Sequence, residues 1–336
     1  MSAYEKLHRS LKRRPRKWLV TGAAGFIGSH LVETLLKLNQ RVVGLDNFAT
    51  GYPDNINKVK KSVSAERRKR FKFIQGDITE NKTCQAACRQ VDYVLHQAAL
   101  GSVPRSFADP LATHEANTTG FIQLAQAARK AQVKRVVYAS SSSVYGDAKG
   151  LPKREGEEGR PMSPYAVSKA VDELYAQVFH QGFGQQLIGL RYFNVFGPRQ
   201  DPNGAYAAVI PRWIAAMRAN KSVDIFGDGK TSRDFCFVAN AVQANLLAAT
   251  TAKVRFGVYN VAVGARASLK QLHRHLQRRV GNRKPAQFQD FRAGDVRHSL
   301  ADIRATKRDL GYQPTHTLEQ GLDITVDWFL KNIELI

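Results

Sequence analysis

Trp18-Leu19-Val20-Thr21-Gly22-Ala23-Ala24-Gly25-Phe26-Ile27-Gly28-Ser29-His30-Leu31 is the stretch that decides the fold. A short apolar run enters a glycine turn, and apolar residues at helical period follow it. In that context the glycines have separate tasks. Gly22 permits the tight turn, Gly25 the close approach of a pyrophosphate, and Gly28 close packing of helix on strand. The free N–H groups and dipole of the helix N-terminus favour the anion. Asp46 closes the next strand-like run, eighteen residues after Gly28, near the ~20 expected of an acid on ribose hydroxyls. A carboxylate there repels a 2′-phosphate, so the pattern predicts NAD over NADP.

The same alternation continues outward. Strand-like runs at 41–45, 71–74, 91–96, 133–139 and 186–191 are separated by helical stretches, notably 112–131 and 163–183. Strands alternating with helices predict an α/β, doubly wound parallel sheet of Rossmann type. After Asn194 the chain becomes rich in Pro, Gly and Asn (195–210) and reads as a long functional loop. Helices are expected at 211–220, 243–250, 268–279 and 318–330, with a strand at 258–261. The predicted division is a cofactor domain of residues 1–194, with 238–264 returning to it. A smaller, mostly C-terminal α/β substrate domain comprises 195–237 and 265–336. Before the first strand, Tyr4, Leu7 and Leu11 at helical spacing predict a short helix that Pro15 ends.

Charge and cysteines bound the function. The chain of 336 residues has 51 Lys+Arg against 28 Asp+Glu, a net charge of +23. The densest basic run is KVKKSVSAERRKRFK, 58–72. Val59, Val63 and Ala65 interrupt it, which reads as a solvated helix face; a general field for anionic small substrates is also compatible. No zinc-finger spacing, RNP-like strand or heptad appears, so nucleic acid is not the expected partner. No apolar run approaches the ~20 residues of a membrane span, and the basic N-terminus lacks the apolar core of a secretory signal. Cys84 and Cys88 fall on one helix and Cys236 lies far away. They read as buried free thiols of a cytoplasmic protein, and no metal site is expected.

Tyr165 and Lys169 open a second long helix and, four residues apart, share one of its faces. A free tyrosine titrates near pH ~10; a neighbouring ammonium favours its phenolate, and the pair can then exchange a proton with a hydroxyl.

The ordered set TGAAGFIGSHL, LDNFATG, GDI, HQAAL, the Asn117 helix, ASSSSVYG, SPYAVSK, LRYFNVFGP, TSRDF and RAGDVRHS resembles the extended short-chain dehydrogenase/reductases, the NAD-dependent epimerases and dehydratases of nucleotide sugars. The resemblance covers almost the whole chain. It implies that Tyr165 is the base and acid, that Lys169 assists it and holds the nicotinamide ribose, and that Ser141 binds the sugar 4-hydroxyl. Ser142 and Ser143 compete for that last register. Cofactor contacts implied are Gly22, Gly25, Phe26, Ile27, Gly28, Asp46, Asn47, Gly51, Asp77, Ile78, Gln97, Ala98, Ala99, Asn117 and Tyr192, beside Tyr165 and Lys169. On the substrate side the resemblance implies a UDP-sugar. Asn194, Arg233 and Arg292 would meet the diphosphate and Asp295 the ribose, with Ala208 and Val209 in a loop beside the uracil. Gly101, Ser102 and Ser141 to Ser143 would lie near the sugar. Two copies are expected to pair through the 112–131 and 163–183 helices.

Family dehydratases carry an Asp-Glu pair just after the serine or threonine, and decarboxylases a Glu. This chain has Ser142 and Ser143 there, which argues against elimination and leaves reversible oxidation at C4, a 4-epimerisation. HQAALGSVPRS, TSRDFCFV and GDVRHSLADI are most similar to UDP-N-acetylglucosamine 4-epimerases of bacterial surface-polysaccharide pathways. Small residues at Gly101, Ser142, Ala208 and Ser299, with Asn194 alongside, stand at the positions that size the sugar pocket. A bulky Tyr replaces Ser299 in epimerases that reject N-acetyl sugars. The alternatives are UDP-glucuronate or UDP-glucose 4-epimerisation and, in another class, a non-catalytic NAD- or nucleic-acid-binding relative. Departures from the family pattern are the extra basic charge, Val144 before Tyr145, and Ser168 inside the Tyr-Lys spacer.

Overall fold

The computed structural model describes residues 1–203, 207–291 and 296–332. Among them seven parallel strands form one sheet: β1 Lys17–Thr21, β2 Arg41–Asp46, β3 Phe71–Gln75, β4 Tyr93–His96, β5 Arg135–Ser141, β6 Leu187–Tyr192 and β7 Phe256–Val261. The spatial order is β7-β6-β5-β4-β1-β2-β3. The chain therefore runs outward from β1 to β3 and returns to β4 on the other side of β1. At such a switch point the crossovers part, and a crevice opens beyond the C-terminal strand ends.

Helices cover both faces, so the strands are apolar along their length; Trp18, Leu19 and Val20 are fully buried. Leu31 and Leu35 of helix Phe26–Lys37 and Val242 of helix Val238–Thr250 pack on one face. Phe121 and Leu124 of helix Gly120–Lys130 and Ala176 of helix Pro164–Phe183 pack on the other. A third core gathers Trp213, Leu276 and Phe329 from helices Val209–Arg218, Leu269–Val280 and Leu318–Lys331. This lobe attaches where Val195–Phe196, just past the C-terminal end of β6, pairs with Cys236–Phe237.

Several elements differ from the sequence expectation. The 112–131 stretch is not one α-helix: Pro110–His114 and Gly120–Lys130 flank a wide π turn, Glu115–Thr119. Val209 is the first helical residue and Ala208 its N-cap, because the helix begins earlier than the loop composition suggested. The 58–72 run divides into helix Pro53–Lys61, a short turn of helix Ala65–Arg68 and the start of β3. Its Val59 and Val63 face the core. Helices Val103–Ala108 and Arg304–Leu310 had no periodic signal to announce them. All three cysteines are buried and free, and no described helix is long and apolar enough to cross a membrane.

Gly28 sets the tightest contact in the sheet–helix layer: a Cβ there would stand 1.9 Å from the Gly22 carbonyl oxygen. Gly28→Ala is therefore expected to lose about 3 kcal/mol or more of stability, by the overpacking argument. Gly182→Ala, where the added carbon meets nothing within 4 Å, is expected to gain ~0.5–1 kcal/mol. Denaturant unfolding of the two variants checks the contrast.

Candidate active site

The glycine turn leaves β1 at the switch point. Gly22 has φ +64°, and a Cβ on it would lie 2.8 Å from the Ala98 amide nitrogen. Gly25 is the N-cap of helix Phe26–Lys37 and provides no side-chain cap, so the amides of the first turn, Phe26 and Ile27 included, receive no capping side chain. Thr21 Oγ1 accepts the Ala98 amide at 3.2 Å and meets His96 Nδ1 at 2.7 Å. This ties the turn to the end of β4 and to Ala98 and Ala99. The open helix terminus and the glycine cradle fit the pyrophosphate of a dinucleotide.

Asp46 ends β2 beside that turn. Burial pushes its carboxyl upward, while the Phe48 and Ala24 amides, at 2.7 and 2.9 Å, pull it back. Gly51 folds over it, with space for a Cβ only 2.9 Å from Ala24 and 3.0 Å from Asp46 Oδ1. At the end of β3, Asp77 accepts Asn47 Nδ2 at 2.6 Å and both donors of Thr79 at 2.8 Å. Burial acts to raise the Asp77 carboxyl, but these three hydrogen bonds prevail and hold it low. Ile78 is buried against Gly120. These residues line three adjacent strand ends as one continuous surface.

Tyr165 and Lys169 occupy the first turns of helix Pro164–Phe183, which Ser163 caps through the Ala166 amide at 3.1 Å. Asn117, buried in the π turn, fixes this helix start. Its Oδ1 accepts the Leu100 amide at 2.7 Å, and its Nδ2 donates to Leu100 O at 3.2 Å and to Ser168 Oγ at 3.0 Å. Ser168 Oγ in turn donates to the Tyr165 carbonyl at 2.8 Å. Lys169 is 2% exposed, and its ammonium lies 3.1 Å from Asp172 Oδ2. Asp172 Oδ1 has no hydrogen-bond partner, nor do the nearby buried His96 Nε2 and Tyr138 OH. Burial pushes the Asp172 carboxyl up to about 6, against the pull of Lys169. Burial, aided by the Lys169 ammonium, pushes His96 down to about 3.

Ser140 donates to Glu173 Oε1 at 2.6 Å and is committed to that carboxylate. Ser141 ends β5 and accepts both the amide and the hydroxyl of Ser143, at 3.1 and 2.9 Å. Ser142 and Ser143 begin the 3₁₀ turn that follows. Tyr192, at the end of β6, forms a closed triangle with Gln97 and Asn245: its hydroxyl donates to Gln97 at 3.1 Å and accepts from Asn245 at 2.7 Å.

The expected substrate residues fall into separate groups. A Cβ on Gly101 would meet nothing within 4 Å. Ser102 has a strained φ of 146° and caps helix Val103–Ala108. Asn194 (φ 38°) is exposed and donates to the Asp234 carbonyl at 3.2 Å. Arg233 and Ser299 are neighbours across Ser232, whose carbonyl accepts from the Arg233 guanidinium at 3.1 Å and from the Ser299 amide at 3.0 Å. Arg292 and Asp295 lie outside the described residues. Sequence reasoning missed Asp172. Its signal was present in Lys169-x-x-Asp172, an i,i+3 pair on the buried side of the helix.

With that geometry in hand, the chain can be placed among known proteins. The model of the NAD dependent epimerase/dehydratase family matches residues 18–262. The UDP-glucose 4-epimerase of Mycolicibacterium smegmatis is 38% identical over 315 residues, 93% of this chain and 97% of that protein. Among solved structures, the UDP-N-acetylglucosamine 4-epimerase of Methanobrevibacter ruminantium, in complex with UDP-N-acetylmuramic acid, superposes with a TM-score of 0.88. It is 37% identical and covers 95% of this chain and 99% of its own. A mutant UDP-glucuronic acid 4-epimerase of Bacillus cereus, holding UDP-4-deoxy-4-fluoro-glucuronic acid and NAD, gives 0.84 at 33% identity, over 94% and 99% of the two chains.

The Asp172 environment carries a pH prediction. A folded carboxyl near 6 against 3.8 for the ordinary value means that the folded state binds more protons between those limits. Its contribution is present at low pH and lost as pH rises through about 6. Asp172→Asn removes the titration. Relative to the variant, the parent is expected to lose about 2 kcal/mol between pH 4 and 6, read from unfolding curves across that range.

Proposed function

The chain belongs to the NAD-dependent epimerase/dehydratase family, and from that premise we propose that it interconverts UDP-N-acetylglucosamine and UDP-N-acetylgalactosamine by reversible oxidation at C4. It is an NAD-dependent nucleotide-sugar epimerase; the N-acetylhexosamine is the finer reading. The observation that carries it is the open space at Gly101, where even an added Cβ touches nothing within 4 Å. The small side chain of Ser299 supports it.

Gly22, Gly25 and Gly28 would admit the pyrophosphate of NAD at the helix N-terminus, and Asp46 its ribose hydroxyls. NAD, when bound, supplies the two-electron acceptor and donor at C4. Tyr165 takes the proton of the 4-hydroxyl as the alcohol becomes a ketone and returns it to the oxygen when the ketone is reduced from the other face. Ser141 donates a hydrogen bond to the same oxygen. Lys169 keeps positive charge beside the phenolate, and Asp172 holds that ammonium in place. Ser142 and Ser143 put no carboxylate beyond Ser141, so no group there can assist elimination. Arg233 and Asn194 would pair with the diphosphate, for which a planar guanidinium is suited; Arg292 and Asp295 complete the proposed nucleotide contacts. The three buried thiols suit a reducing cytoplasm.

A homodimer is part of the same reading. Val167, Leu174, Tyr175 and Val178 form an exposed apolar face on helix Pro164–Phe183, and Phe107 and Leu111 are exposed as well. An apolar surface of this kind marks an association site.

Four outcomes are expected. Tyr165→Phe keeps bound NAD but loses about 10²- to 10⁴-fold in turnover; undiminished turnover would refute the base assignment. NMR of products from UDP-GlcNAc, its uronic acid form and UDP-Glc should rank the N-acetyl sugar first. Ser299→Tyr should then cut its kcat/KM by about tenfold or more relative to UDP-Glc. A clear parental preference for UDP-Glc would sink the pocket argument. Leu174→Glu with Val178→Glu should convert a dimer to a monomer in light scattering.

A further inference from the structure

The edge of the sheet opposite the active site carries a feature the reaction does not use. A cleft of about 640 Å³ lies between the N-terminal ends of β1–β3 and helix Asn81–Cys88. This is within the roughly 300–1,000 Å³ typical of small-ligand sites. Six cationic residues line it, Lys17, Arg41, Lys69, Arg70, Lys72 and Arg89, and no carboxylate does. Its floor is aliphatic, from Val42, Val43, Ile74 and Ala86.

The charges are poorly compensated from within the protein. Among the described residues no carboxylate is within ion-pair distance of Arg41, Lys69, Lys72 or Arg89. Glu66 approaches Arg70 only to 3.9 Å. Asp92 is occupied by the Lys17 backbone amide and by Lys134. Lys17 is pushed below its ordinary value by burial and by Arg41, Lys72 and Arg89 together, the mark of cations that repel one another. Helix dipoles explain part of this. Lys69 and Arg89 are C-caps, where a cation meets the negative end of a helix. Lys17 Nζ donates to the Arg89 carbonyl at 2.8 Å and Arg70 to the Asn39 carbonyl at 3.4 Å; Arg41 and Lys72, at strand starts, have no such partner.

We propose that this cleft is a second binding site, for a chain of phosphates carried by a nucleoside triphosphate or an inorganic polyphosphate. A linear polyanion can meet several of the strand-start and helix-end cations at once, and a flat base could rest on the aliphatic floor. Guanidinium and ammonium groups give charge-assisted bonds to phosphate oxygens.

The test is calorimetric titration of the holoenzyme, saturated with NAD and UDP so that the active site is filled, with ATP and separately with tripolyphosphate. One ligand per chain is expected. Combining Arg41→Ala with Lys72→Ala, both exposed, should weaken binding by about tenfold or more without changing the epimerase rate or lowering the unfolding midpoint. Arg89→Glu should weaken binding likewise, at an unchanged epimerase rate. Tighter binding of ATP assigns the floor to a base; equal binding assigns the site to the phosphate chain alone. Absence of binding by both ligands, or equal affinity in parent and variants, overturns the proposal. So does retention of an RNA oligonucleotide or an anionic vesicle through these residues with neither small ligand bound.

Discussion

The closeness of Gly22 and Gly28 is the constraint on which the rest depends. With 1.9 Å between a hypothetical Cβ and a carbonyl oxygen, helix Phe26–Lys37 can lie this near β1 only without a side chain there. The approach turns the helix N-terminus toward the switch point and leaves its amides clear of side-chain caps. Neighbouring parts then take their positions from the turn. Thr21 reaches Ala98, Ala24 donates to Asp46, and the Ala24 carbonyl accepts from the Tyr52 amide and Asn55 Nδ2. A van der Waals limit at one glycine thus propagates through hydrogen bonds to three strand ends and one helix start.

Behind the reacting groups the protein uses buried polar scaffolding where apolar packing would be less costly. Arg191 joins Glu158 and Glu173 and lies over the Tyr145 ring, 4.9 Å from its centroid. Tyr145 donates to Asn260, which also donates to the Lys153 and Asp302 carbonyls. Buried charges of this kind contribute little net stability but are costly to leave unpaired. Their geometry is therefore strongly determined. The Lys169–Asp172 pair belongs to the same economy: raised by burial and only partly relieved by its partner, Asp172 fixes the Lys169 ammonium one helical turn from Tyr165. Rigid support of this kind is what the proposed Tyr165–Lys169 pair requires.

The sheet was legible because each strand is an apolar run bounded by a turn, and the glycine stretch announced the crossover that orients all the others. Local signals suggested the proposed cofactor contacts, since Asp46 ends a strand and Gly22 and Asp77 lie within two residues of one. Sequence could not show the π turn. Its cause is tertiary: Asn117 spans Leu100 and Ser168, and helix periodicity records none of that. Polyserine hid its own register for a related reason. Alternation along a strand and the reach of Glu173 decide that Ser140 turns away, and Glu173 lies thirty-three residues further on. Asp172 was overlooked because an acid three residues from a lysine ordinarily marks a solvated pair.

The excess positive charge invites an explanation as a lure for anionic substrates, and distance opposes it. The strand starts that carry Lys17, Arg41 and Lys72 lie a full strand from the catalytic edge. Five residues of β1 span ~17 Å, about twice the ~8 Å screening length at physiological salt. Two cations near the site are bound into local networks, Lys169 to Asp172 and Arg191 to Glu158 and Glu173. The fold thus separates two electrostatic regimes. Behind helix Pro164–Phe183 the charges of Lys169, Asp172, Arg191 and Glu173 are paired and largely buried; at the N-terminal edge they are exposed and mutually repulsive. Repulsion of that kind lowers the stability of the folded chain, and an anion from outside relieves it.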